Sequence, residues 1–137
     1  MTTRPLTHLH VVGIRYSNSR PDAPDKTPLD HYQAAGIYTA AGVPVQVVEP
    51  RFPEAARLPE ETDNLGVLGG EIAKAVAAGL QRDAAVLVVG GNCSHITGVV
   101  GGLQDVYGPG ARIGLVWFDA HGDFNTPRTT LSGMLGG

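Results

Sequence analysis

The chain has 137 residues, 42% of them hydrophobic, with a formal net charge of -3. That is one domain's worth of sequence, with enough apolar residues for a core. It carries no basic block of the kind that marks a nucleic-acid binder, and no apolar run of bilayer-spanning length.

Met1-Thr2-Thr3-Arg4-Pro5 leads into no signal-type apolar stretch. Cys93 is the only cysteine, which excludes an internal disulfide. Together these features predict a cytoplasmic protein with no nucleic-acid and no membrane partner.

His8 to Ile14 predicts a first strand, with His8 and His10 near its exposed start. Arg15 to Lys26 contains Pro21 and Pro24 and reads as a loop. Its first residues, Tyr16, Ser17 and Asn18, either line a crevice or are plain loop. Thr27-Pro28-Leu29-Asp30 opens a helix: a Thr N-cap, Pro at the first helical position and an acid in the first turn. The helix is expected to run to Ala41 and stop at Gly42, with His31 solvated or half-buried. Val43 to Val48 predicts a second strand, and Pro50 to Pro59 a linker. Leu65, Leu68, Ile72, Val76 and Leu80 recur at helical spacing and predict an amphipathic helix. Gly66, Gly69 and Gly70 weaken its first turns. Ala84 to Val89 predicts a third, wholly apolar strand. Gly90-Gly91-Asn92-Cys93-Ser94-His95 is a tight turn into a helix that reaches about Tyr107. Ile113 to Phe118 predicts a fourth strand, with Trp117 in the core.

Strands alternating with helices, and strands apolar on both faces, predict an α/β fold with a mostly parallel sheet. In such sheets the ligand crevice lies at the carboxyl ends of the strands. The Gly90–Cys93 turn and the segment from Asp119 to Asp123 both fall at that edge.

The second of these segments carries the chemistry. In Asp119-Ala120-His121-Gly122-Asp123, three ligand-type side chains are spaced two residues apart. In an extended backbone such positions point the same way. Two carboxylates this close repel unless a cation lies between them. Carboxylate oxygens with an imidazole nitrogen suit a divalent ion such as Mn²⁺ or Zn²⁺. The plainer alternative is a polar turn with an incidental histidine.

With the motifs Gly90-Gly91-Asn92-Cys93-Ser94, Asp119-Ala120-His121-Gly122-Asp123, Asn125-Thr126-Pro127 and Ser132-Gly133, the chain resembles the arginase/agmatinase (ureohydrolase) family. That family has Gly-Gly-Asp-His-Ser after one strand and Asp-Ala-His-x-Asp after a later one. The resemblance implies a three-layer α/β sandwich and a two-manganese centre. Its implied activity is a metal-activated hydroxide attacking the guanidino carbon of an arginine-like substrate, releasing urea. The implied metal ligands are Cys93, Asp119, His121 and Asp123, with Asp119 bridging both ions and Asp119 and His121 central to catalysis. Asn125 and Ser132 match positions that hold the substrate's α-carboxylate.

Where the sequence departs from the family, the expectation shifts. Cys93 replaces the family's histidine. A thiolate is softer and favours Zn²⁺ over Mn²⁺; otherwise Cys93 is a small buried residue at a turn. Its motif is most similar to the branch that hydrolyses Nω-hydroxy-L-arginine and releases hydroxyurea. His95 is either a substitute ligand or a first-turn helix residue facing away. Gly136 stands where arginases have a proton-shuttling histidine. Arg128 replaces a neutral residue and either meets a substrate carboxylate or faces water. The family's second half carries another Asp-x-Asp pair, and none occurs here.

Residues 1–137 are therefore expected to be a single arginase-like domain, incomplete at its C-terminus and comprising the first half of the fold, with an apolar sheet edge left exposed. Two functions compete: a guanidino hydrolase, as a homo-oligomer or completed by another chain, and a non-catalytic fragment or partner subunit of a split ureohydrolase. A phosphate-binding module built on Gly90-Gly91 is a third class, but the chain has no Gly-x-Gly-x-x-Gly.

Overall fold

The computed structural model describes residues 5–24, 27–119, 122, 125–126 and 128–131. In chain order the elements are β1 (Leu9–Ile14), β2 (Tyr16–Ser17), β3 (Arg20–Pro21), α1 (Pro28–Ala34), α2 (Ile37–Ala40), β4 (Val45–Val48), α3 (Glu61–Gln81), β5 (Ala85–Gly90) and α4 (Ile96–Tyr107). Single 3-10 turns occupy Glu54–Ala56 and Cys93–His95.

β1 is the centre of a parallel sheet of order β4-β1-β5. Leu9 pairs with Val45 on one side and Ala85 on the other. Successive residues of β1 face opposite layers, as the strand period requires. Val12 and Ile14 join Leu68, Ile72, Ala75 and Val76 in the core under α3. Val11 joins Leu29, Tyr38 and Val89 under α1 and α2. This is the expected α/β architecture, with helices on both faces of a parallel sheet. α3 and α4 meet at backbone distance: a Cβ on Gly98 would stand 2.7 Å from the Gly69 carbonyl oxygen.

The sheet order places a topological switch beside β1. The chain leaves β1 for β4 on one side and returns through α3 to β5 on the other. The connections after β1 and β5 leave toward opposite sides there, and the carboxyl ends of such strands are where α/β sheets bind ligands.

Five expectations are corrected. The helix from Thr27 to Gly42 is two helices, because Gly36 takes a left-handed conformation (φ 71°) and breaks the ladder. The loop after β1 contains the antiparallel hairpin β2–β3, turned at Asn18, whose φ is 54°. Asn tolerates that region better than most residues.

His10 is buried, not exposed. Its ring fills a notch at Gly79, where a Cβ would stand 2.6 Å from His10 Cδ2, and Nε2 lies 3.1 Å from the Ala75 carbonyl oxygen. β5 is only partly covered, with Leu87 exposed, because among the described residues it pairs with β1 alone.

The predicted strand from Ile113 to Phe118 does not form. Val116 is 76% and Phe118 95% exposed, and Trp117 is at the surface rather than in the core. An apolar run supplies strand propensity, but a strand exists only where neighbours pair its backbone. Among the described residues nothing pairs with this one.

Candidate functional site

The Cys93 turn begins where β5 ends. Gly90 and Gly91 both have positive φ (91° and 74°). A side chain at Gly90 would collide with the Ile14 carbonyl oxygen, and one at Gly91 would stand 2.5 Å from His95 Nδ1. Glycine at both positions lets the turn pass directly over the end of β1.

Beyond them, Asn92, Cys93, Ser94 and His95 form a dense set of hydrogen bonds. The Asn92 backbone N–H donates to His95 Nδ1 at 2.9 Å. The His95 backbone N–H donates to the Asn92 carbonyl at 3.1 Å. Ser94 Oγ donates to Asn92 Oδ1 at 2.6 Å. Asn92 Nδ2 donates to Asn18 Oδ1 at 2.7 Å, and His95 Nε2 to the Asn18 carbonyl at 2.8 Å.

His95 is thus buried with both ring nitrogens engaged by this chain. The ring offers no free lone pair to a metal, so His95 is not a substitute ligand; it stands at the start of α4 and turns to the Asn18 loop. Asn18, Asn92 and His95 were not legible together, because 74 or more residues separate Asn18 from the others. The available signal was Asn18 between two serines, a composition typical of a turn.

The hairpin carrying Asn18 is itself anchored. The Ser19 backbone N–H and hydroxyl both donate to Glu61 Oε1 at 2.9 Å. These bonds, the backbone one foremost, hold the Glu61 carboxyl below the usual range. Tyr16, half-buried, accepts the Phe52 N–H on its hydroxyl rather than lining the crevice with a free group.

Cys93 is exposed, so the buried-residue alternative is corrected. Its thiol lies 3.7 Å from Asp119 Oδ2. Two donors on one tetrahedral ion, a thiolate at about 2.3 Å and a carboxylate oxygen at about 2.1 Å, lie about 3.6 Å apart. The separation fits shared coordination. Asn125 and Arg128 are both exposed. His121, Asp123, Ser132 and Gly136 lie outside the described residues. Among the described residues no three of His, Cys, Asp and Glu gather in one place.

A parallel α/β sheet with a thiol and a carboxylate meeting at its carboxyl edge defines the class: an α/β protein with its candidate site at the sheet's switch point. The comparison with known sequences carries this further. The arginase family profile matches residues 10–137, and the chain belongs to that family. It is similar to the arginase of Entamoeba histolytica, 31% identical over 96 residues, covering 66% of this chain and 31% of that protein. The arginase of Bacillus caldovelox is 40% identical over 67 residues, or 49% of this chain and 21% of that protein. That of Bacillus subtilis is 37% identical over 81 residues, or 57% and 26%. The chain covers about a third or less of these relatives' lengths. No helix among the described residues is long and apolar enough to cross a membrane.

Proposed function

We propose that this chain forms one wall of a metal-dependent ureohydrolase centre that cleaves a C–N bond in a guanidino compound. The observation that carries the reading is the approach of Cys93 to Asp119, at the sheet edge where the family motif falls. Cys93, Asp119, His121 and Asp123 would hold the metal. Mn²⁺ is the family's usual ion, and the Cys93 sulfur shifts preference toward Zn²⁺. A bound divalent ion supplies Lewis acidity and a water-derived nucleophile at neutral pH.

The rest of the chemistry falls to side chains. Cys93 must release its thiol proton to solvent to become a donor, and Asp119, whose Oδ2 lies within hydrogen-bond reach of the sulfur, stays ionised to share the ion. Asn125 and Ser132 supply polar groups for the substrate's α-carboxylate. A guanidinium is a flat, resonance-stabilised cation and a poor electrophile. Acidic residues around it favour its binding. The substrate fits arginine or its Nω-hydroxy derivative, the latter favoured by Cys93 and Gly136.

The exposed apolar segment Ile113–Phe118 favours a second reading. In it, the chain is a partner subunit whose site and surface are completed by another polypeptide segment. The deciding experiment measures metal per chain after incubation with Mn²⁺ or Zn²⁺ and gel filtration, then urea and hydroxyurea release from L-arginine and Nω-hydroxy-L-arginine. Retained metal with product release supports the hydrolase. Retained metal without turnover, or no retained metal, supports the partner subunit, and no retained metal defeats the hydrolase reading for this chain alone.

A further inference from the structure

We infer that His95, with Asn92 and Asn18, is a positioning clamp that fixes the Cys93 sulfur for metal ligation. The inference rests on the proposed metal centre and adds residues that hold it without touching the ion.

Cys93 is flanked by the two clamp residues of its own turn. Asn92 precedes it and His95 follows two positions later, and they are tied to each other at 2.9 Å (Asn92 N–H to His95 Nδ1) and 3.1 Å (His95 N–H to Asn92 carbonyl). Each also bonds to the same residue of the β2–β3 turn. Asn92 takes the Asn18 side chain, and His95 takes the Asn18 carbonyl. The Cys93 backbone is thus bracketed by residues bonded to each other and to Asn18.

Satisfaction of a buried group does not account for the whole arrangement. His95 is buried and needs partners, but Asn18 and Asn92 are exposed and could bond to water. Their mutual bond joins the two loops that diverge at the sheet's switch point. Gly91 completes the fit, since the imidazole occupies the space a side chain there would take. Asn18 Oδ1 accepts from Asn92 while its own backbone is held left-handed, and Glu61 pins the next residue, Ser19. Those bonds tie the Asn18 loop back to the first turn of α3. Direct hydrogen-bond partners of a metal ligand change metal affinity about 10- to 100-fold when lost, and these residues, which hold the turn that carries the ligand, set an effect of at most that size.

The test uses the full chain titrated with Cd²⁺, reading the ultraviolet thiolate-to-cadmium charge-transfer band, with backbone amide exchange at Asn92 as a metal-free readout. The parent chain should show the band and a protected Asn92 amide, and Cys93→Ser should lose the band alone. His95→Leu should weaken Cd²⁺ binding about 10- to 100-fold and expose the Asn92 amide. His95→Gln, which can restore the bond to the Asn18 carbonyl, should recover part of the affinity. Asn18→Gly keeps the left-handed backbone and loses only the side-chain bond, so it should fold normally and bind more weakly than the parent. Parent-like affinity and band in folded His95→Leu and Asn18→Gly would overturn the clamp, as would an unprotected Asn92 amide in the parent. A protected amide with no cadmium band in the parent would instead defeat the metal reading, and the positioning role with it.

Discussion

Arg15 grips Asp30 with both terminal guanidinium nitrogens, Nη1 to Oδ2 at 2.6 Å and Nη2 to Oδ1 at 2.7 Å. Its Nε meets Glu49 at 2.8 Å. One cation at the end of β1 thereby joins the first turn of α1 to the residue following β4. Two-pronged contacts of this kind are the stronger form of ion pair.

That grip makes stability acid-sensitive. The Arg15 hydrogen bonds, then that from Thr27, lower the Asp30 carboxyl from its ordinary 3.8 to about 2. A depressed folded-state value stabilises the fold above the unfolded value and loses that contribution as the pH falls through the folded one. The melting temperature should therefore drop between pH 4 and pH 2. Asp30→Asn should flatten that part of the profile, and an unchanged slope would defeat the assignment.

Glycines within α3 should respond in opposite directions. At Gly79 an added methyl meets the His10 ring at 2.6 Å and 2.7 Å. Gly79→Ala should destabilise by about 1–3 kcal/mol, the usual cost of overpacking. Gly66 has nothing within 4 Å of an added Cβ, so Gly66→Ala should stabilise by about 0.5–1 kcal/mol through helix propensity. Chemical denaturation of both variants checks the pair.

Phe118 is 95% exposed. Phe118→Ser should change unfolding free energy by less than about 0.5 kcal/mol, as surface substitutions do. It should also reduce the binding of a hydrophobic dye. A large loss of stability would show that the segment packs against the core.

Metal preference should follow residue 93. Cys93→His should raise Mn²⁺ retention relative to Zn²⁺, because imidazole is the harder donor. Asp119→Ala should abolish retention of both ions, since it removes the proposed bridge. Elemental analysis after gel filtration reads both variants, and retained metal in Asp119→Ala would sink the ligand assignment.

The sequence by itself determined the α/β class, the parallel sheet and the family. Apolar periodicity, turn residues and spaced ligand types are local properties, and they survive without coordinates. Leu68, Ile72 and Val76 were core residues by spacing and are buried. The tertiary structure decided what depends on neighbours distant in the chain. His10 is buried because Gly79 leaves room for its ring, and His95 is buried and fully bonded because the Asn18 carbonyl comes to meet it. Ile113–Phe118 shows the same dependence in reverse. Its side chains favour a strand, but backbone hydrogen bonds need a paired edge, and propensity alone does not supply one.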